Sequence, residues 1–322
     1  MLHRIVASVF AFIFVLALTG MATSAGADES VTVRLKWFNQ AQFAGFYVAK
    51  EKGYYKSAGL NVDIQAGGPD FPAVQMVAGG NEQFGVTGAD QILIARSKGV
   101  PVVALAAIFR RNPFVLFSLA KSGIKTPTDY VGKNIGVKIG GNEELIYRAV
   151  IAKAAVDKSK LNEVPVKFDI SPLLAGTIDV WPGYLINEVL AAKEKGFDVN
   201  VVSPTDYGID LYADTLFTTE KMLAERPDVV RKFVTATLKG WADAIAAPDE
   251  AAQLTLKYGS KLTYDHEFAM MKASLPLLQP DAKPLGWMDA ANWSGMQKLL
   301  IDAGFQKTPV DIDKSFTVEF LK

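Results

Sequence analysis

Few residues in this chain could carry covalent or metal chemistry. It has no cysteine, and of its two histidines His3 lies at the extreme N-terminus, leaving His266. Thiolate nucleophiles, disulfides, thiolate metal sites and lipid attachment through an N-terminal cysteine are thereby excluded. A Ser-His-Asp triad would have to use His266, in a region of helical pattern, and no G-x-S-x-G elbow occurs. There is no Walker A loop and no G-x-G-x-x-G after a strand. The glycine-rich GGPDFPAV, residues 67–74, reads as a tight turn into a helix, its Asp70 and prolines arguing against a phosphate cradle. Gly67 and Gly68 would also let a ligand come close to the backbone.

What remains suits non-covalent recognition: rings, side-chain amides and carboxylates at the C-terminal ends of strands, where open α/β sheets bind ligands. Trp37, Asn39, Gln40, Gln42 and Phe43 follow the first strand, and Thr87, Asp90 and Gln91 follow FGV. Asn142, Glu143 and Glu144 open a helix after GVKIGG, and Trp181, Tyr184, Asn187 and Glu188 follow TIDV. Tyr207, Asp210, Tyr212 and Asp214 lie in the linker YGIDLYADT. Each has a plainer role open to it: Trp37 could be core, and Glu143 and Glu144 could simply complement a helix macrodipole. Tyr184 and Glu188, read as four apart on one helix, share a face. With Trp181 they offer a stacking ring and a carboxylate at one strand end.

The elements that must position these residues are α/β throughout the first two thirds. VTVRLKW and LNVDI alternate, QFGVTG is short and apolar, and VPVVALAAIF is wholly apolar. Helical stretches at 43–56, 71–78 and 90–97 separate them, which predicts a largely parallel sheet. The turn-rich KSGIKTPTDYVGK then opens a second unit. It comprises strand NIGVKI, a helix from Glu143, strands VKFDI and TIDVW, a helix from Tyr184 to Lys195, and strand DVNVV. The last third is helical. Pro227 starts a helix in which Val230, Phe233, Val234, Thr237, Trp241 and Ile245 recur at helical spacing, and PDEAAQLTLKYG is bracketed by Pro248 and Gly259. These helices carry no catalytic pattern and read as scaffold packing back on the first unit.

Length and composition set the remaining bounds. A 322-residue chain, half hydrophobic, can bury a large core and suggests two domains. Lysine plus arginine equals aspartate plus glutamate at 34 each, so no overall field favours nucleic acid or an anionic membrane. His3 and Arg4, the apolar run Ile5–Leu18 and the A-x-A site Ala25–Ala27 form a cleavable secretory signal peptide, residues 1–27. Loss of Arg4 leaves 33 basic residues against 34 acidic, a net charge of −1. Export without an anchor points to a periplasmic monomer, and any transport role would leave the pore to another chain.

Four stretches, KWFNQAQFAGFYVAKEKGYYKSAGLNVDI, GVTGADQILIARSKGVPVVALAAI, GKNIGVKIGGNEELIYRA and LLAGTIDVWPGYLINEV, resemble the substrate-binding proteins of ABC importers. The resemblance spans nearly the whole mature chain. It is to the branch shared by nitrate, sulfonate and thiamine-pyrimidine-precursor binders and the eukaryotic thiamine pyrimidine synthases. It implies a type II periplasmic binding fold of two α/β lobes joined by a two-segment hinge. One lobe would be 28–117 with 215–322 and the other 118–214, with crossings near Phe114–Ser122 and Asp210–Phe217. The implied partners are a small-molecule ligand and the membrane permease and ATPase subunits of an importer. A membrane sensor in place of the importer is the other partner open to such a protein.

For the ligand contacts the expectation is Trp37, Asn39, Gln42, Phe43, Gly68, Thr87, Asp90, Gln91, Asn142, Glu143, Trp181, Tyr184, Asn187, Glu188 and Tyr212. Carboxylates at Glu143, Glu144 and Glu188 would repel a sulfonate or nitrate from a dry cleft, which disfavours an anion. Stacking on Trp37 or Trp181, with Glu188 accepting from an exocyclic amine, suits a flat nitrogen heterocycle. By resemblance a thiamine pyrimidine precursor fits best, with riboflavin or another flat heterocycle the alternative. The related synthases carry a pyridoxal-phosphate lysine, a histidine four residues on and a cysteine-rich iron motif. Thr87 and Gln91 stand at the first two positions and there is no cysteine, so the reading is a binder without cofactor or metal and not an enzyme.

Overall fold

The computed structural model describes residues 28–139, 142–279 and 281–321. The expected signal peptide, 1–27, lies outside the described residues. β1 (Glu29–Arg34) buries Val31 and Val33 and is flanked by two parallel neighbours, β2 (Leu60–Gln65) and β3 (Phe84–Gly88). β4 (Val102–Ala107) is buried along its whole length, as its unbroken apolar sequence requires. Four strands of this sheet, β1 to β4, run in one direction, as expected, and the late strand β10 (Asp214–Thr219) inserts between β3 and β4 and runs antiparallel to both.

A second set of strands follows. β5 (Phe114–Leu119) is central to an antiparallel sheet with β8 (Trp181–Tyr184) and β9 (Val199–Val202). β6 (Asn134–Val137) and β7 (Asn162–Pro165) pair in parallel. β6 also reaches the residue before β8, where the Gly136 N–H donates to the Val180 carbonyl at 2.9 Å. The stretch Phe114–Ser122, read from sequence as a crossing, is instead β5 of the second sheet and the short helical turn Ala120–Ser122 that follows it. The chain passes from one sheet to the other at 109–113 and returns at 209–213. These two passages touch, the Ala213 N–H donating to the Phe109 carbonyl at 3.0 Å.

Two element boundaries differ from the sequence reading in ways that matter for the site. VKFDI is not a strand: after Val166 the Asp169 carboxylate accepts from the Ser171 N–H at 3.0 Å and turns the chain into the helix Ser171–Leu174. Phe168 is left half in solvent. The helix expected from Tyr184 begins only at Glu188, since Tyr184 still belongs to β8.

The C-terminal helix Pro227–Ala246 packs on the first sheet and on the helix Ala44–Glu51. Phe233 stacks on Phe84 with ring centroids 3.9 Å apart. A β-carbon on Gly240 would fall 2.2 Å from the Gly45 carbonyl oxygen, so the two helix backbones meet closer than any side chain permits. Among the described residues no helix is long and apolar enough to cross a membrane.

Candidate functional site

Beyond β1 the chain crosses its own return loop. The Gly67 N–H donates to the Trp37 carbonyl at 2.8 Å, and a β-carbon on Gly67 would lie 2.0 Å from the Leu35 carbonyl oxygen. Only glycine fits that approach, and the packing it permits aims Lys36 and Trp37 into a cavity of about 520 Å³. One wall comes from the ends of β1 and β3, and the other from the segments after β6 and at the end of β8.

Two lysines organise the polar part. Lys36 Nζ donates to the Tyr184 hydroxyl at 2.6 Å and to the Asp214 carboxylate at 3.3 Å, tying the end of β1 to the end of β8. Burial alone would lower the Lys36 ammonium, but Tyr184 and Asp214 together lift it above the ordinary lysine range. Asp214 also accepts from Gln42 Nε2 at 2.6 Å, and Gln42 accepts from Gln40 at 2.6 Å. Burial nonetheless holds the Asp214 carboxyl above the usual range, with Lys36 and Gln42 opposing.

Lys138, buried just past β6, lies 3.0 Å from Glu143 and 3.0 Å from Glu188. The second Glu188 oxygen accepts the Tyr184 backbone N–H at 2.8 Å. Each carboxylate oxygen can accept twice, so Glu188 keeps capacity for a further donor. Burial raises the Glu143 carboxyl despite Lys138 beside it. The Phe168 ring lies under the Lys138 ammonium at 5.1 Å and meets Trp37 edge to face at 4.6 Å, so two aromatic rings from opposite walls converge next to this trio. Asn142 Nδ2 is buried without a hydrogen-bond partner among the described residues.

Ten of the expected contacts line this cavity: Trp37, Gln42, Gly68, Thr87, Gln91, Asn142, Glu143, Tyr184, Asn187 and Glu188. Five do not. Asn39 is spent on structure, donating to the Tyr258 carbonyl at 2.9 Å and accepting from the Tyr47 hydroxyl at 3.0 Å. Phe43 is buried in the core ahead of the helix Ala44–Glu51. Asp90 sits behind Gln91, from whose amide it accepts at 2.7 Å. Tyr212 points away and donates to Asp289 at 2.9 Å. Trp181 is buried with Phe117, Leu173 and Val189 beneath the second sheet. Residues three apart on a strand face opposite ways, so once both belong to β8 only one of Trp181 and Tyr184 can reach the cavity.

Lys36, Lys138 and Phe168 line the cavity and were not expected. Both lysines stand at the C-terminal ends of strands, the criterion that selects Trp37, so position alone could have found them; Phe168 was hidden by the misplaced strand. The lysines also correct the charge reasoning. Glu143 and Glu188 share a cation, and Glu144 is held by Arg148 at 3.1 Å, where it lines a separate cavity. The carboxylates do not face a ligand uncompensated, and the electrostatic ground for excluding an anion falls away. Among the described residues no group of three or more histidine, aspartate or glutamate side chains is set to hold a metal ion.

Two α/β units, joined by paired connecting segments and enclosing a cleft lined from both sides, define the periplasmic binding protein fold. The periplasmic aliphatic sulphonate binding protein SsuA of Escherichia coli shares it, with a TM-score of 0.72 over 89% of this chain and 96% of that one at 15% identity. The chain belongs to the NMT1/THI5-like family, whose model matches residues 40–251. It is 28% identical to the riboflavin-binding protein RibY of Chloroflexus aurantiacus, over 91% of this chain and 86% of that protein. It is 27% identical to the formylaminopyrimidine-binding protein of Halalkalibacterium halodurans, over 98% of each. A 4-amino-5-hydroxymethyl-2-methylpyrimidine phosphate synthase of Legionella pneumophila is 23% identical over 70% of this chain and 72% of that protein.

Proposed function

We propose that this is a periplasmic substrate-binding protein that captures a small planar nitrogen heterocycle, of the thiamine pyrimidine precursor class, and delivers it to the permease and ATPase of an ABC importer. The observation that carries the reading is the convergence of Trp37 and Phe168 beside the Lys138–Glu143–Glu188 trio. The rings offer a face and an edge to a flat ligand, while the trio and Asn142 offer donors and acceptors at its rim. Relatives named as formylaminopyrimidine- and riboflavin-binding proteins support the same ligand chemistry. Riboflavin is the second reading, favoured by a cavity much larger than one pyrimidine ring. Thr87 and Gln91 at the synthase lysine and histidine positions, in a chain without cysteine, support binding over catalysis. Capture would close the walls about the two connecting segments, with the Lys36–Tyr184 contact as a link made across the cleft.

Calorimetric titration with an aminopyrimidine, riboflavin, taurine and nitrate tests this. Heterocycle binding that falls at least tenfold in Trp37→Ala is expected. Binding of taurine or nitrate alone would overturn the proposal.

A further inference from the structure

His266 is the only histidine among the described residues, and it joins the two sides of the cleft. It stands in the first turn of the helix Tyr264–Leu278, which packs on the short turn Ala41–Phe43 behind the first wall. Its Nδ1 lies 2.8 Å from Oε1 of Glu194, the last residue of the helix Glu188–Glu194, which packs on β8 and β9 of the second sheet. The first residue of that helix, Glu188, lines the cavity and pairs with Lys138. At about 1.5 Å per residue, Glu194 stands roughly 9 Å from Glu188 along one rod. On the other side Glu267, next to His266, is buried and accepts the Ala41 N–H at 2.6 Å, between Gln40 and Gln42 of the first wall. Both ends of the His266–Glu194 contact are thus built into elements that carry cavity-lining residues.

We infer that His266 is a positioning residue for capture: with Glu194 it clasps the two walls together, and protonation of its ring tightens the clasp, so that ligand binds more strongly as pH falls. The inference rests on the heterocycle-binding reading above for the ligand and adds what regulates its affinity. A neutral imidazole can donate Nδ1–H to Glu194, whereas the cation adds charge to the same hydrogen bond and strengthens it about twofold. Imidazoles in general change charge between pH 8 and pH 5, where glutamates ordinarily stay ionised. An opening that withdraws Glu188 from the first wall carries Glu194 away from His266, because one short helix holds both. Asp265, Glu267 and the helix N-terminus travel with His266 and act on its ring in the open and closed arrangements alike. The neighbouring helix Pro248–Thr255 spends Asp249 on Tyr264 and Glu250 on Lys52, and the turn Ala41–Phe43 carries no charge. What changes on closure is Glu194, in hydrogen-bond contact, together with Lys193 and Lys195, which flank it and oppose its effect. A contact stronger for the cation makes closure take up a proton, and by reciprocity added protons favour closure.

Calorimetry at pH 8.0 and pH 5.5, with riboflavin and with 4-amino-5-hydroxymethyl-2-methylpyrimidine, tests the clasp. For whichever binds, the ratio of affinity at pH 5.5 to that at pH 8.0 should be about fourfold larger in the parent than in His266→Gln or Glu194→Gln, near the upper range for a partly exposed ion pair. Glu143 and Asp214, whose carboxyls burial holds up, are present in all three proteins, so the comparison isolates the clasp. Buffers of different ionisation enthalpy should show proton uptake on binding in the parent that both variants lose. The chain has no cysteine, so spin labels at Lys160→Cys, before β7, and Lys298→Cys, on the helix Ala290–Asp302, read the separation of the two sides without ligand. The shorter separation should gain population from pH 8.0 to pH 5.5 in the parent and not when His266→Gln is added. Equal affinity ratios in parent and variants overturn the clasp and leave the heterocycle reading standing. If neither heterocycle binds, that reading falls and the label distances decide: a distribution that ignores pH, or moves equally with His266→Gln, overturns the clasp.

Discussion

Replacing Lys138 by methionine keeps the volume of the side chain and strands the two carboxylates it joins. Its ammonium is 3.0 Å from each, and the three side chains are 7%, 16% and 11% exposed for Lys138, Glu143 and Glu188. Removing one partner of a buried ion pair costs about 3–5 kcal/mol, and the partial exposure of both glutamates places this case near the lower end, about 3 kcal/mol at neutral pH. The cost must depend on pH. Burial holds the folded-state Glu143 carboxyl above its ordinary value of 4.5, and Lys138 is the largest opposing influence, so the variant raises it further. A carboxyl raised on folding opposes stability above its unfolded pKa and ceases to do so as pH falls toward that value. The deficit of Lys138→Met should therefore be full at about pH 8 and shrink steadily toward pH 4.5. Urea unfolding followed by tryptophan fluorescence would read it as a midpoint lowered by roughly 1 M at the higher pH. A variant as stable as the parent, or a deficit independent of pH, would refute the view that Lys138 compensates this pair.

Three further outcomes follow from particular contacts. Trp181→Phe should lower stability by about 1–2 kcal/mol yet leave ligand affinity unchanged in calorimetry, since Trp181 faces the core beneath the second sheet. Gly240→Ala should destabilise by about 2 kcal/mol or more, visible as a lowered Tm, because its new methyl meets the Gly45 carbonyl. Tyr184→Phe removes one of the two acceptors of the Lys36 ammonium, leaving Asp214, and should cost about 1 kcal/mol in chemical denaturation, with weaker ligand binding measured alongside.

Local pattern made much of the fold legible. Alternation located β1 and β2, the unbroken apolar run located β4, and Pro227 marked the long C-terminal helix. The insertion of β10 between β3 and β4 was not legible, because a pairing of segments far apart in sequence leaves no periodic trace. In the site, the strand-end rule brought Trp37, Thr87, Asn142 and Glu188 to one cavity. It failed at Trp181 through a shift in the strand boundary: with β8 running from Trp181 to Tyr184, the alternation of faces turns Trp181 inward and Tyr184 outward. It could not show that Lys138 joins Glu143, five residues on, to Glu188, fifty residues on, and so the net charge of the cleft was misjudged.

The central claim, that the cleft holds a planar nitrogen heterocycle between its two walls, is tested most directly by native mass spectrometry of freshly purified protein. Mass and ultraviolet spectrum of any released small molecule identify it. A passenger with the absorption of a pyrimidine or a flavin, lost or much reduced in Trp37→Ala, is the expected result. A sulfonate or another passenger without a ring, retained by Trp37→Ala, would contradict the account.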